Sequence, residues 1–161
     1  MIGVRFKAGS HAGHTDREIM RYGNRGHGGQ SIGLVLRDGK LMPTTWGANN
    51  EYVLNNNLGD GSWHQVIWTL QSDTAKSYID GQLVDSRSFN VNTILGGGII
   101  GYNPNPAGED WNGPIDDVRI YNRALSAGEV TELYDLEESE EVDWTQSTFE
   151  LVEGNFTWHE A

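Results

Sequence analysis

The sequence predicts an all-β protein, an antiparallel β-sandwich of jelly-roll type closed by one short C-terminal helix. Three observations predict it. The 161 residues include 21 Gly and 10% aromatic side chains, a composition suited to short strands joined by tight turns. Apolar residues alternate with polar ones in several short runs, and Asp-Gly or Gly-rich turns separate these runs. Only one stretch, beginning near Ser126, carries helix-start signals.

The elements follow in order. Ile2, Val4 and Phe6 alternate with Gly3, Arg5 and Lys7, which predicts a strand over 2–7. Residues 8–30 read as a long loop rich in Gly, His and Arg, interrupted by a short apolar piece at 19–22. A second strand over 31–36 turns at Asp38-Gly39 into 40–42, a hairpin pattern. Residues 46–58 form an Asn-rich connection, with a strand expected at 51–54. The turn 59–62 leads into a strand over 63–70, with Val66, Trp68 and Leu70 on one face and Gln65, Ile67 and Thr69 on the other.

A second hairpin joins 75–79 to 82–84 through Asp80-Gly81. Residues 93–102 are strand-like, and the glycines at 96–98 allow a bend. A loop over 101–113 holds Pro104 and Pro106, and 115–121 is the last strand. Ser126 and Glu129 have capping-box spacing, and Leu125 and Val130 have hydrophobic-staple spacing. Val130, Leu133 and Tyr134 would pack that helix on the sandwich.

The formal charge of −12 is uneven. All 11 Lys and Arg and 14 of the acids lie in 1–134, a formal −3, while the other nine acids lie in 135–161. A near-neutral body without a basic face excludes nucleic acid as a partner. No apolar run approaches the ~20 residues of a membrane span, and the opening MIGVRFKAG has no signal-peptide core. With no Cys there are no disulfides and no thiolate metal sites. The acidic run after Leu136 reads as a solvated linker over 137–148.

Several pieces then form a known order. GDGSWHQV is followed by SYIDGQLV, ILGGGIIGYN and NGPIDDVRIYNRALSAGEVTELY. This set resembles the laminin-G-like and pentraxin-like jelly rolls of the concanavalin A-like lectin/glucanase superfamily. The carrying motifs are Trp-His-x-Val at 63–66, Tyr-x-Asp-Gly at 78–81, and the terminal strand and helix start at 113–126.

The resemblance covers 2–136 and makes 1–136 the sandwich. It implies strands upstream of the one matched by 2–7, since family members begin earlier. Without them a sheet edge beside 115–121 would lie open, inviting self-association. The alternative is that the chain is a piece of a longer protein. Residues 149–161 resemble the opening of a C-type-lectin-like domain, with Thr157 to Glu160 as a second helix cap.

Candidate sites divide by chemistry. No catalytic residue is assigned. The Glu-x-Asp-x-x-Glu element of some sandwich glucanases is missing, and Asp116 and Asp117 are strand neighbours expected to face apart. Asp116 is expected on the Val118 and Ile120 face, and Asp117 beside Arg119. Calcium is the one cofactor considered, with Glu109 and Asp110 as ligands. The resemblance does not carry over a pentraxin-type site, because GGIIGYNPN holds no carboxylate. His11, His14 and His27 read as a polar loop rather than a zinc site, and GNRGHGG lacks the features of a phosphate loop.

For carbohydrate, Trp46, Tyr102, Asn103 and Trp111 are the candidates, in surroundings that include Asn49, Asn50 and Asn105, while Trp63 and Trp68 read as core. The function expected from the resemblance is a non-catalytic recognition module in a larger extracellular or cell-surface protein. Its partner would be a polysaccharide or a cell-surface glycan. A protein–protein adhesion or spacer domain is the alternative, and a glycoside hydrolase of the same superfamily is less favoured. Scattered, buried positions for Trp46, Tyr102 and Trp111 would favour the spacer.

Overall fold

The alternation of Ile2, Val4 and Phe6 with Gly3, Arg5 and Lys7 folds as strand β1 (Ile2–Lys7), which is covered on both of its faces. In this computed structural model the described residues are 1–9, 16–24, 28–45, 51–94, 96–103 and 109–139. The other strands are β2 (Asp16–Gly23), β3 (Ser31–Arg37), β4 (Lys40–Thr44), β5 (Trp63–Gln71), β6 (Thr74–Ile79), β7 (Gln82–Ser88), β8 (Gly98–Ile100) and β9 (Ile115–Ile120), followed by helix α1 (Ala127–Ser139). They form two antiparallel sheets, ordered β7-β6-β5-β1-β9 and β4-β3-β2-β8.

The core between the sheets takes Ile2, Val4 and Phe6 from β1, Val66 and Trp68 from β5, and Leu34 and Leu36 from β3. On the opposite face of the five-stranded sheet, Ile67 and Tyr78 form a second cluster with Leu125 and Val130 at the start of α1. The capping box is present: Glu129 N donates to Ser126 Oγ at 3.3 Å, and Ser126 N donates to Glu129 Oε2 at 2.8 Å. Both Asp-Gly hairpins form, with positive φ at Asp38, Gly39, Asp80 and Gly81. Gly81 is required twice over, since a Cβ there would stand 3.2 Å from the Tyr134 ring.

Five expectations are corrected. The loop read over 8–30 contains strand β2. Its alternation is hidden by polar side chains and by a bulge at Ile19. The strand expected at 51–54 does not form, although Leu54 N donates to Leu41 O at 2.9 Å. The strand-like stretch 93–102 contributes only β8. Trp63 is not in the core: it lies opposite Lys7 on the helix side of its sheet, with the Arg5 guanidinium 5.1 Å from its ring centroid. Finally, Asp116 does not share the face of Val118 and Ile120.

The β1–β9 register shifts by one residue, so Ile120 opposes Ile2 while Asp116 opposes Arg5 and Arg119 opposes Gly3. This bulge holds Asp117 at φ +48° and turns Asp116 and Arg119 to the same face. Asp117 Oδ1 accepts from Arg119 Nη2 at 2.9 Å, as expected. Among the described residues β9 pairs only with β1, so the expected open edge is there. Its bulge and charges are features that discourage strand addition.

Helix α1 continues through Glu137 and Glu138 to Ser139, taking in residues that the sequence pattern assigned to a linker. Glu137 is 3% exposed and accepts from Gln65 Nε2 at 2.9 Å and from Arg119 Nη1. Arg5 Nη1 donates to the Glu137 carbonyl at 3.3 Å. Burial pushes the Glu137 carboxyl up, against the opposing pull of Gln65 and Arg119. No helix among the described residues is long and apolar enough to cross a membrane.

His64 links two of the motifs in space. Its Nδ1 lies 2.9 Å from Asp80 Oδ2 and its Nε2 lies 3.2 Å from Asp60 Oδ1. Asp80 Oδ1 also accepts from Gln65 N at 2.9 Å. The Trp-His-x-Val strand is thus tied to the Asp-Gly turn of the next hairpin. The Asp80 hydrogen bond raises the His64 pKa, more than burial lowers it.

Two stability predictions result. A raised folded-state pKa means the His64 stabilisation is complete below about pH 6.5 and fades as pH rises through the folded value. Urea melts across that range should show the parent losing more stability with rising pH than His64→Gln. Superimposable pH profiles for the two proteins would exclude it. Glu137→Ala should cost about 1–3 kcal/mol, because Arg119 and Gln65 lose a buried acceptor. Hydrogen exchange in the same variant should rise in the last two turns of α1 and leave the capped first turn protected.

Candidate functional site

A regular strand sends residues three apart to opposite faces. In β2 the register against β3 shifts between Glu18 and Met20, and the bulge seats both Ile19 and Met20 in the core at 0% and 1% exposure. Glu18 and Arg21 consequently lie opposite Val35 and Gly33, on one outer face of the four-stranded sheet. Arg21 Nε and Nη2 donate to Glu18 Oε2 at 3.2 and 2.9 Å, and both side chains are buried. Gly33 makes room for them: a Cβ there would stand 3.0 Å from Arg21 Cζ and 3.2 Å from Glu18 Oε1.

This buried pair floors a small recess of about 70 Å³, well below the volume of a site that encloses a small molecule, so a ligand would sit over it rather than inside it. Val35 from β3 and Met42 and Thr44 from β4 complete the sheet side. Asp16, Glu51, Asn103 and Glu109 supply polar walls. Arg37 grips Asp16 with two bonds of 2.7 Å and lies 3.6 Å from Glu51. The Asp16 hydrogen bonds push the Arg37 guanidinium further up. Thr44 Oγ1 donates to Glu51 Oε1 at 3.4 Å.

Backbone bonds deliver the Asn103 and Glu109 wall. Gly101 N donates to Ile19 O at 2.8 Å, Glu18 N to Glu109 O at 2.9 Å, and Trp111 N to Gly101 O at 3.0 Å. Asn103 N then donates to Asp110 Oδ1 at 3.0 Å, and Asn103 Nδ2 donates to Glu109 Oε2. Asn103 is only 3% exposed, so its amide is fixed in direction.

Of the residues singled out for sugar binding, Asn103 lines the cavity. Tyr102, its neighbour, is 54% exposed. Trp111 is a packing residue: its ring meets Phe6 edge-to-face at 5.1 Å and belongs to the core margin. Trp46 lies outside the described residues, which stop at Thr45 and resume at Glu51. Asn49, Asn50, Asn105, His11, His14 and His27 also lie outside them, as do the proposed linker beyond Ser139 and residues 149–161.

Asp16, Glu18, Arg21, Thr44 and Glu51 were not legible as site residues. The available signal was the order Glu-Ile-Met-Arg, two apolar residues between opposite charges, which is what a bulge produces.

Calcium requires six to eight oxygens from several converging groups. Glu109 and Asp110 each accept an N–H of Asn103, and Arg21 places a cation in the same cavity. Among the described residues no three His, Asp or Glu side chains are grouped to hold a metal ion. Glu109 and Asp110 by themselves therefore do not supply such a set.

The profile of the concanavalin A-like lectin/glucanases superfamily matches residues 5–131. Domain 4 of an extracellular arabinanase from Geobacillus stearothermophilus, solved with arabinotriose, is 22% identical, with TM-score 0.65 over 83% of this chain and 65% of that one. The CBM40 of the Ruminococcus gnavus IT-sialidase is 14% identical, with TM-score 0.63 over 83% and 80%. The heptameric SAP-like pentraxin from Limulus polyphemus is 18% identical, with TM-score 0.61 over 83% and 68%.

Identities this low show the shared sandwich alone. A search of curated proteins gives no match. Because the profile spans both sheets and reaches into the helix, the chain belongs to the concanavalin A-like lectin/glucanases superfamily.

Proposed function

We propose that this domain is a non-catalytic carbohydrate-recognition module of a larger extracellular or cell-surface protein, and that the cavity over Glu18 and Arg21 is its sugar site. The observation that carries this reading is a small polar recess lined by Asn103, whose chain neighbour Tyr102 is an exposed aromatic. Asn103 and Glu109 supply amide and carboxylate partners for hydroxyls, Thr44 adds a hydroxyl, and Val35 and Met42 give an apolar bed. Tyr102, next to Asn103 in the chain, is exposed and is the aromatic we assign to stacking on the sugar. Trp46 keeps its sequence-based role as a second platform. The solved likenesses support the ligand class, since one was solved with arabinotriose and another is a carbohydrate-binding module.

A binding role is favoured over hydrolysis because the cavity's carboxylates are already committed. Glu18 is bonded to Arg21, Glu109 to Asn103 and Asp16 to Arg37. A glycosidase needs one carboxyl free to give a proton and a second to act opposite it. For the same reason we propose that binding does not need calcium.

Titration calorimetry against neutral oligosaccharides tests this reading. Asn103→Ala and Tyr102→Ala should each weaken binding by roughly tenfold, about 1.4 kcal/mol, with an unchanged thermal midpoint for Tyr102→Ala. A chelator should leave the affinity unchanged, and no reducing ends should be released. Undiminished binding by both variants would remove the cavity as the site.

Exposed isoleucines at the edges of both sheets favour a second reading, association with another copy of the chain by side-chain packing rather than by strand addition. Ile120, on the core-side face of β9, is 52% exposed, and Ile100 on β8 is 54% exposed. On this reading light scattering shows dimers at high concentration, and Ile120→Lys returns them to monomer without touching glycan affinity. A monomer at every concentration would dismiss it.

A further inference from the structure

The electrostatics of the cavity limit the glycan it can take. Asp16, Glu18, Glu51 and Glu109 bring four carboxylates to its lining, and Arg21 is the one cation among the lining residues. Arg37, just outside, is bound to Asp16 at 2.7 Å and stands 3.6 Å from Glu51. Arg21 is 4% exposed and bonded to Glu18, so its charge is already met from inside the cavity. Glu51 is the least engaged of the four, with its side chain 45% exposed.

An incoming carboxylate or sulfate would therefore face an excess of like charge with no free cation among the described lining residues, and like charges juxtaposed at an interface cost several-fold to many-fold in affinity. A neutral sugar has no such penalty, because its hydroxyls donate to carboxylates and to the Thr44 oxygen and accept from the Asn103 amide.

We infer that the cavity selects uncharged glycans and rejects those carrying uronate, sialate or sulfate groups. The inference rests on the carbohydrate reading above and names the substrate class within it. A common sandwich does not carry a common ligand, so the inference is drawn from this cavity's own charges.

The test uses the full chain with two probe sets in low salt. One set is arabino-, xylo- and cello-oligosaccharides, and the other is sialyllactose, oligogalacturonate and a heparin fragment. The neutral set should contain binders at least about tenfold tighter than any anionic probe. Salt should narrow that gap, because added ions screen charges near the surface over roughly 10 Å at 0.1 M. Glu51→Gln removes one charge while keeping the shape, and its exposed position spares the fold. It should narrow the gap by at least about threefold through the anionic probes. Equal or tighter binding of the anionic set overturns the inference and leaves carbohydrate binding standing. A gap indifferent to both salt and Glu51→Gln also overturns it. Binding of neither set overturns the inference together with the carbohydrate reading.

Discussion

The bulge at Ile19 is the constraint on which the rest of the cavity depends. Without it, Glu18 and Arg21 would point to opposite faces, one of them into a core built from Leu34, Leu36 and Trp68. An ionised side chain there would meet a large desolvation cost and no partner. With it, two adjacent apolar side chains enter the core and two opposite charges meet outside it. One extra residue thus satisfies the core and builds the floor of the site. The cavity also needs Gly33, because the guanidinium lies where a side chain on β3 would stand. Site and core are therefore linked through backbone register rather than through direct contact.

The same device recurs in the other sheet. The bulge in β9 lets Ile115 and Val118 pack on the core while Asp116 and Arg119 face α1's side of the sheet. Arg119 then reaches Glu137, which brings the helix end down on the sheet. A buried carboxylate near a helix C-terminus opposes the helix dipole, and Arg119, Arg5 and Gln65 offset that cost. The first turn has the complementary arrangement, with Glu129 at the favourable end held by Arg123 and Ser126, which keeps its carboxyl down at about 2. The helix is pinned at both ends by polar contacts, and Val130 and Leu133 fill the space between.

What was legible in the sequence follows from what has a period. Strands β1, β3 and β5 alternate without interruption, and the helix carries both its cap and its staple, so these elements could be read residue by residue. The resemblance added their order, and His64 with Asp80 links two of its motifs in space. Strand β2 was missed because a bulge breaks alternation at the same place where burial of Glu18 and Arg21 contradicts the rule that charge marks the surface. The face of Asp116 was misassigned for the same cause. Bulges depend on pairing with a neighbouring strand, which no local window contains.

Site residues divide along the same line. Asn103 and Tyr102 stood out because loop amides and aromatics are what sugar chemistry uses, and Glu109 stood out only as a loop acid suited to calcium, whereas Asp16 and Glu51 became wall residues only through folding. This has a consequence for how such a fold diversifies. Core residues such as Phe6, Leu34 and Trp68 face inward and carry the sandwich, while the cavity's charges stand on the opposite face of the sheet or on connections. Exchanging both Glu51 and Glu109 for basic residues would reverse the net charge of the cavity lining without touching the apolar interior. Glu18 and Arg21 are different. They are buried as a pair, so a change in one leaves the other uncompensated, and they must change together or stay. The charge lining this cavity is therefore tunable at the walls and fixed at the floor, and a sandwich shared at 14–22% identity does not itself fix a ligand.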